Sequence, residues 1–302
     1  MSNFGIAPWK IVLQTMSEET IQGNESSNFD PKVVSDFGAE WERFDQQELS
    51  EEELCDVFND YFSIFPWDAL PKSSKGFDLG CGSGRWARFV APKVGSLACL
   101  DPSEEALAVA RRNLSHLGNC EFYQASVDQM PLPEGSMDFG YSLGVLHHVP
   151  DTCQAIASCA GKLKPGAPLL LYLYYAFDNR SSWFKVLWRS SDLIRQCLCR
   201  LPRFLKRPIC DLLALLVYAP LSRLALLCEK CGFPVSTLPL SAYRHRSFYI
   251  MRNDSLDRFG TRLEHRFTKD RIREMMEEAG LQDIQFRDKE PFWCAVGFRR
   301  TD

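Results

Sequence analysis

The sequence lacks any strong excess of one charge. Its 302 residues hold 35 Lys and Arg against 39 Asp and Glu, which gives a formal net charge of −4. No global charge therefore attracts a nucleic-acid backbone, and a polymer-binding role would need a local basic patch. Apolar residues at 45% and charged residues at 25% are ordinary for a globular protein, which disfavours intrinsic disorder and fibrous folds.

The sequence also lacks a secretory signal and a long apolar run. Its first ten residues have neither the charged start nor the apolar centre of such a signal. The longest apolar run, 212–228, is interrupted by Pro220 and Arg223 and falls short of the ~20 residues that span a membrane. The 12 cysteines are spread over a long chain, which favours reduced thiols over a disulfide framework. These absences predict a cytoplasmic protein without a membrane span.

Residues 1–70 predict a lead-in followed by a helical cap. Residues 1–39 are polar and irregular. Residues 40–60 are rich in acids and carry apolar side chains at roughly helical spacing, which predicts a helix. This helix either packs on the next domain with a solvated face or covers a ligand. In the second case Tyr61, at its end, is a candidate contact for the substrate.

Residues 71–180 alternate short apolar runs with helical stretches. The pattern predicts strands near 76–79, 96–100, 120–125, 137–143 and 167–176, with helices from about 85, at 104–116 and at 152–163. Such alternation is typical of an α/β fold with a doubly wound parallel sheet. It resumes within residues 251–302, where Thr268 caps a predicted helix and strands are predicted near 284–287 and 292–298.

Residues 181–250 interrupt this alternation. The stretch 181–231 holds nine Lys or Arg and three acids, together with Trp183, Trp188 and many leucines. This composition predicts a basic, amphipathic helical insertion. Three interpretations stay open: a lid over a lipophilic substrate, a patch that rests on anionic lipid, and helices packed on the core with solvated basic faces.

Residues 77–84, with the sequence FDLGCGSG, carry the most chemical information. They predict a strand, a glycine turn and a helix start, where backbone N–H groups approach a ligand closely. A dinucleotide site needs G-x-G-x-x-G, but the sixth position from Gly80 is Arg85. Asp78, just before the turn, disfavours a pyrophosphate and suits a cationic ligand.

A second acid follows the next predicted strand. Asp101 ends that strand, where a carboxylate accepts hydrogen bonds from the two hydroxyls of a ribose. A ligand with an adenosine ribose, a positive charge and no phosphate is S-adenosylmethionine. The two acids and the glycine turn therefore predict this cofactor.

Four motifs resemble class I S-adenosylmethionine-dependent methyltransferases: DLGCGSG, LDPSEEAL, LPEGSMDFGYSLGVLHHVPD and KLKPG. Within that class the chain is most similar to the small-molecule enzymes of ubiquinone and menaquinone biosynthesis. The resemblance is strong over residues 76–177, weak over 267–298 and absent from the insertion. It implies a Rossmann-like, seven-stranded mixed sheet whose last strand is antiparallel.

The resemblance also implies contacts with the cofactor. Asp78 would hold the amino group of the methionine part, and Asp101 the ribose. Adenine would be bound either by the backbone of Ser126 and Val127 or by Asp128, because relatives carry an acid at the position of Ser126. The other candidates, which shape the turn or complete the pocket, are Gly80, Cys81, Gly82, Gly84, Pro102, Ser103 and Leu143.

Motifs of nucleic-acid methylation are missing. Enzymes that methylate bases or glutamine resemble one another in an Asn/Asp-Pro-Pro-aromatic run after the fourth strand, where this chain has SLGVL at 142–146. The sequence contains no Pro-Cys dipeptide of the cytosine-carbon enzymes and no C-x3-C-x2-C motif of radical enzymes. We therefore expect a small-molecule acceptor and no nucleic-acid partner.

Two histidines and three further polar residues are candidates for acceptor chemistry. His147 and His148 follow the fourth strand, at the edge where parallel sheets bind ligands. An imidazole there would deprotonate a hydroxyl or an enol, or it packs and hydrogen-bonds the loop. Arg246, His265 and Arg266, before the last helix, either bind a polar head of the acceptor or are surface charge.

Cys228 and Cys231 have the spacing of half a zinc site. A second C-x-x-C pair and a nearby histidine are missing, so the spacing predicts no metal.

The residues and the resemblance together predict a methyltransferase that moves a methyl group to a small acceptor by in-line displacement. We expect it in the cytoplasm or peripherally at a membrane, which it would contact through residues 181–231. A catalytically inactive partner subunit that binds the cofactor and a nicotinamide-dependent oxidoreductase are the alternatives. The sequence indicates neither the acceptor atom nor the oligomeric state.

Overall fold

The computed structural model describes residues 27–235 and 237–301, so most of the predicted lead-in, residues 1–26, lies outside the described residues. Seven strands form a sheet in the order β3-β2-β1-β4-β5-β7-β6. The strands are β1 (Lys75–Leu79), β2 (Ser96–Asp101), β3 (Cys120–Gln124), β4 (Phe139–Leu143), β5 (Pro168–Tyr172), β6 (Leu281–Phe286) and β7 (Cys294–Arg299). Strands β1 to β5 pair in parallel, and β7 pairs antiparallel with β5 and β6. This confirms the predicted mixed sheet and its antiparallel last strand.

Helices cover both faces of the sheet. They are α3 (Ala87–Val90), α4 (Glu104–Asn113), α5 (Thr152–Lys162) and α10 (Lys269–Glu278). Leu107 of α4 packs in one buried cluster, and Ile156 of α5 packs with Met275 of α10 in another. The side chains of Ser103 and Thr268 accept hydrogen bonds from the first turns of α4 and α10, which satisfies backbone donors there.

Two helices precede the sheet, α1 (Pro31–Arg43) and α2 (Glu51–Phe62). The prediction of irregular chain through residue 39 is therefore wrong for 31–39, and the single helix predicted over 40–60 is broken. The reason is local capping, because the side chain of Asp30 accepts from the first turn of α1 and that of Ser50 accepts from Glu53 N.

The insertion is helical, as predicted, with α6 (Ser182–Leu198), α7 (Arg203–Leu213) and α8 (Ala219–Lys230). A π-helical turn at Ala214–Tyr218 joins α7 to α8, so that Arg203–Lys230 forms one helix of 28 residues. By length and composition this helix could cross a membrane, which corrects the prediction that none could. Pro220 does not end the helix because it lies in the first turn of α8, directly after the π-helical turn.

The insertion helices turn apolar side chains toward solvent. These side chains, between 38% and 74% exposed, are here called the outer face: Trp183, Val186, Leu187, Leu193, Ile194, Phe204, Leu205, Leu212, Leu215, Leu216, Val217, Leu221, Leu224 and Leu227. Helix α9 (Phe248–Gly260) continues across the predicted boundary at residue 250. Its Met251 and Phe259 share a buried cluster with Cys210 and Tyr218 of the insertion.

Candidate functional site

A cavity of about 1220 Å³ opens at the carboxyl edge of the parallel strands. Its wall includes a residue at or just after the end of each of β1 to β5: Gly80, Asp101, Ser126, Leu143 and Tyr172. This edge is where open α/β sheets bind their ligands. The volume exceeds the ~300–1,000 Å³ of a typical small-molecule pocket and leaves room for two molecules side by side.

The glycine turn after β1 adopts a backbone that favours glycine. Gly80, Gly82 and Gly84 have φ angles of +74°, +53° and +78°. A Cβ atom added at Gly80 would come within 2.3 Å of the Val145 side chain, so the turn packs too closely for any other residue. Gly80 and Cys81 line the cavity, whereas Gly82 and Gly84 do not.

The sequence suggested that the turn presents its backbone N–H groups to a ligand. In the structure, two of these groups are used elsewhere. The backbone N–H groups of Gly80 and Cys81 both donate to the carbonyl oxygen of Leu100, at 2.7 and 3.0 Å. These two donors are used to join β1 to β2, so the expectation is wrong for them. A ligand at these two residues would meet their other backbone atoms.

Asp101 is held in place by the turn and by its own helix. Its carboxylate accepts from Gly82 N at 3.0 Å and from Ser103 N at 2.9 Å. Burial raises the pKa of Asp101 to about 6, and the two backbone hydrogen bonds oppose that rise. Each oxygen keeps a second lone pair, so this carboxylate can still accept hydrogen bonds from two neighbouring hydroxyls on a cavity ligand.

Asp78 is buried and only partly satisfied. Tyr141 donates its hydroxyl to Oδ2 at 3.0 Å, and among the described residues Oδ1 has no hydrogen-bond partner. Asp78 does not itself line the cavity, although the next residue, Leu79, does. Burial raises its pKa to about 8. An orphaned carboxylate oxygen behind the glycine turn fits a cationic group, directly or through water, because such a group would restore its ionised form.

The adenine candidates separate into two groups. Ser126, Val127 and Pro102 line the cavity, and within the described chain the Ser126 hydroxyl has no hydrogen-bond partner. Asp128 and Ser103 do not line the cavity: Asp128 accepts through Oδ2 from the backbone N–H of Asn28, while its Oδ1 has no partner among the described residues, and Ser103 hydrogen-bonds Glu105. The geometry therefore favours the backbone alternative, at Ser126 and Val127, over Asp128.

Of the two histidines, His148 lines the cavity and His147 does not. His148 Nδ1 lies 2.7 Å from the carbonyl oxygen of Leu263, which can only accept, so Nδ1 carries the proton. Nε2 is then a free base 3.8 Å from Asp257 Oδ1. Burial lowers the pKa of His148 to about 4. His147 is fully buried and stacks on Tyr174, with ring centroids 3.8 Å apart.

Three of the four predicted acceptor contacts meet at the cavity. Tyr61 lies edge-on to Tyr172, with ring centroids 5.0 Å apart. Arg246 forms an ion pair with Asp60 at 2.8 Å, and the guanidinium of Arg266 lies 4.8 Å from the ring centre of Tyr174. His265 does not line the cavity.

The sequence analysis missed an acidic wall of the cavity. Glu40 of α1 meets Asp254 and Asp257 of α9 there, and Asn253 donates to Glu40 at 2.5 Å. Burial raises the pKa of Asp254 and of Asp257 to about 6 each, and that of Glu40 well above its usual range. Asp254 and Asp257 are three residues apart and so lie on one side of α9, and that spacing is the signal that the sequence offers.

Cys228 and Cys231 are separate free thiols. Over residues 27–235 and 237–301, no group of three or more His, Cys, Asp or Glu is placed to hold a metal ion.

Residues 77–171 match a protein-family model described as a methyltransferase domain. The ubiquinone biosynthesis O-methyltransferase of Thiobacillus denitrificans is 32% identical over 110 residues, which cover 36% of this chain and 46% of that enzyme. The enzyme of the same name from Pseudomonas aeruginosa is 30% identical over 148 residues, which cover 48% and 63%. The chain thus spans less than two thirds of the length of these curated relatives.

A solved complex between a Haloferax volcanii methyltransferase activator and a candidate methyltransferase contains a similar fold. The match covers 89% of this chain and 98% of that chain, with a TM-score of 0.53 and 15% identity. At that identity the likeness shows the fold alone.

Proposed function

We propose that this chain, whose residues 77–171 match a methyltransferase domain, is a class I S-adenosylmethionine-dependent methyltransferase and that it methylates a small-molecule acceptor. The observation that carries the proposal is Asp101, a buried carboxylate that ends β2, lines the cavity and is fixed by two backbone hydrogen bonds. S-adenosylmethionine is the cofactor of this class, and when bound it supplies an electrophilic methyl group on a sulfonium ion.

The cofactor would occupy the part of the cavity next to the sheet. Asp101 would accept from the ribose hydroxyls, and Ser126 with Val127 would lie beside the adenine. Asp78 would balance the positive charge of the methionine part, because its Oδ1 has no other partner among the described residues. Leu143, at the end of β4, adds an apolar wall.

The acceptor would occupy the part of the cavity under the insertion. Phe184, Trp188 and Leu221 of the insertion line the cavity and would form the lid. The aromatic side chains of Tyr61 and Tyr172, which also line the cavity, would align the acceptor and exclude water.

His148 is the proposed general base. His148 lines the cavity and its Nε2 carries no proton, so this nitrogen would accept the proton that an acceptor hydroxyl loses. The adjacent Asp257 carboxylate, 3.8 Å away, would stabilise the imidazolium. Arg266 and Arg246 would then bind an anionic or polar group of the acceptor.

The alternatives are not favoured. A nicotinamide-dependent oxidoreductase does not agree with the methyltransferase domain match at 77–171. A partner subunit that only binds the cofactor would need neither room in the cavity for a second molecule nor an unprotonated histidine in the cavity wall.

Binding of S-adenosylhomocysteine, measured by calorimetry, tests the cofactor half. Asp101→Ala should weaken binding by at least ~1 kcal/mol, because a charge-assisted hydrogen bond to a ligand hydroxyl is lost. Asp68→Asn, an exposed acid away from the cavity, is the control and should bind as the wild type does. An unchanged dissociation constant for Asp101→Ala would remove Asp101 from the site.

Labelled S-adenosylmethionine and a cell extract test the acceptor half. Methyl label should appear in a small product, and an untargeted search for molecules one CH₂ heavier in cells that carry the gene would identify it. With that acceptor, His148→Gln should slow turnover by about 10²–10⁴-fold, whereas His116→Gln, at an exposed histidine, should not. Tight cofactor binding without any labelled product would instead support the inactive partner subunit.

A further inference from the structure

We propose that the outer face of the insertion docks on an anionic lipid bilayer. The first observation is that the helices of the insertion expose apolar side chains, which a helix of a soluble core would bury. A core helix turns its apolar stripe inward. In α6, Trp183, Val186 and Leu193 point to solvent, whereas Arg195 is only 8% exposed and donates to the carbonyl oxygens of Thr261 and Arg262.

The long helix over Arg203–Lys230 also exposes apolar side chains and buries a cation. Phe204 is 74% exposed and Leu216 63%, whereas Lys206 is only 4% exposed. Lys206 forms an ion pair with Asp36 at 3.0 Å and donates to the carbonyl oxygen of Gly260. Each of these two helices buries one cation and exposes several apolar side chains, and exposed apolar surface of this extent marks interaction sites.

The contacts of the inward side show how this helix would meet a bilayer. Lys206 and Arg203 bind Asp36, Arg207 donates to the Ala39 carbonyl oxygen, and Ser255 of α9 donates to the Cys210 carbonyl oxygen. To cross a membrane the helix would have to leave all of these partners. It therefore lies in the plane of the lipid interface, as amphipathic surface helices do.

Charge selects lipid over a second copy of the chain. The three acids of 181–231 are all used in ion pairs within the molecule: Asp192 with Arg195, Asp211 with Arg43 and Glu229 with Arg244. Six cations of the same stretch have no acidic partner within 4 Å in the described part of the chain: Lys185, Arg189, Arg200, Arg207, Arg223 and Lys230. Within the described part of 181–231, every acid is thus paired, whereas several cations have no acidic partner. Anionic headgroups complement that charge, whereas a second copy would repel it.

The entrance of the cavity joins this surface. Leu187, Val217 and Leu221 belong to the outer face and also line the cavity. A molecule dissolved in the bilayer could therefore pass between these side chains into the cavity without crossing water. This step rests on the proposed function and makes the acceptor an amphiphile that partitions into lipid.

Flotation of the full chain with vesicles tests the docking without any acceptor. We expect binding to vesicles in which about a third of the lipid is phosphatidylglycerol, and weaker binding to phosphatidylcholine alone, since each basic residue near an anionic surface contributes about fivefold. The double variant Phe204→Ser/Leu216→Ser should lose at least about tenfold in partition coefficient, because it removes buried apolar area. The matched control is Phe248→Ser, an exposed phenylalanine outside the outer face.

A charge pair completes the design. Lys185→Gln/Arg189→Gln should lower binding to the anionic vesicles and leave binding to phosphatidylcholine unchanged. Lys72→Gln, an exposed cation in the loop before β1 at the opposite edge of the sheet, should change neither. Trp183 fluorescence should be quenched by brominated lipid, and Trp183→Phe should remove most of that quenching.

The outcomes that overturn the proposal are distinct. No vesicle binding by the wild type, or equal binding by Phe204→Ser/Leu216→Ser, refutes docking. A dimer in light scattering that the same variant disperses shows that a second copy covers the face. Resistance to alkaline carbonate extraction shows a membrane span. Binding of S-adenosylhomocysteine is measured in every variant, so failure of the proposed function is recognised separately.

Discussion

Helices α5 and α6 are both amphipathic, but α5 turns its apolar side toward the protein and α6 turns apolar side chains toward solvent. In α5 the apolar residues Ala155 and Ile156 are fully buried against the sheet. In α6 the apolar residues Trp183 and Leu193 are more than half exposed, and Arg195 is turned inward. The comparison teaches that helical spacing identifies an amphipathic helix but not which side faces the protein. In the core the sheet decides, because it offers an apolar surface. In α6 the inward Arg195 meets the Asp192 carboxylate and the carbonyl oxygens of Thr261 and Arg262, which bind a cation.

The largest expected effect is a difference in the free energy of unfolding between substitutions at two leucines. Leu169→Ala, at a fully buried position of β5, should lower the free energy of unfolding by about 3 kcal/mol, because it removes buried methyl groups and leaves a cavity. Leu216→Ala, 63% exposed on the outer face, should change it by less than about 0.5 kcal/mol. Urea denaturation measures both. A large loss in Leu216→Ala would mean that this face is covered in solution.

The next effect concerns two lysines of the insertion. Lys206→Met should cost about 1–3 kcal/mol of stability, because Asp36 loses one of its two cationic partners and the Gly260 carbonyl oxygen loses its donor. Lys230→Met, at an exposed and unpaired position, should be neutral within about 0.5 kcal/mol. Equal costs in thermal or urea unfolding would show that the inward cation is not needed and would weaken the contrast with the core.

The third effect is a pH dependence of ligand binding at Asp78. Its pKa is about 8 in the folded protein, against about 3.9 in an unfolded chain. The folded chain therefore keeps a proton that the unfolded chain has lost, and without ligand its stability should fall as pH rises through that window and level off above it. The cationic amino group of S-adenosylhomocysteine favours the ionised carboxylate, so its affinity should rise by about tenfold from about pH 6 to pH 8.

Calorimetry over that pH range checks this prediction with Asp78→Asn, which should bind more weakly and without the rise. The exposed control Asp68→Asn should keep it. A wild-type affinity that is flat over the range would contradict the role assigned to Asp78.

The smallest effect compares two helix starts. Thr268→Ala should destabilise the chain by about 1 kcal/mol, because its hydroxyl accepts from Arg271 N at the start of α10. Ser181 is the corresponding residue of α6, but its side chain makes no capping hydrogen bond, and Ser181→Ala should be neutral within about 0.5 kcal/mol. Similar losses in both variants would show that the insertion helix depends on its cap as the core helix does.

The part of the site that sequence analysis predicts is built from short-range features. The glycine turn and Asp101 follow strands whose position is clear from apolar runs, and both are found at the cavity. The acidic wall could not be predicted in this way, because Glu40 and Asp257 are 217 residues apart in sequence. They meet because α1 and α9 pack against each other.

Some local features were also beyond the sequence pattern. The interruption of helix between α1 and α2 depends on the caps at Asp30 and Ser50. These caps compete with an apolar spacing that is helical on both sides of the interruption. The continuity of the helix through Pro220 depends on a π-helical turn, which periodicity does not reveal. The turn geometry that uses the N–H groups of Gly80 and Cys81 depends on the pairing of β1 with β2.

The amino-acid sequence alone determined the order of the strands and of the helices that cover the sheet, the glycine turn and the carboxylate at the end of β2, because these follow from spacing and capping within a few residues. Tertiary structure decided which histidine reaches the cavity, which carboxylates share its wall and which side of each insertion helix meets solvent. Those outcomes depend on what surface each side chain finds opposite it, and that surface comes from distant parts of the chain.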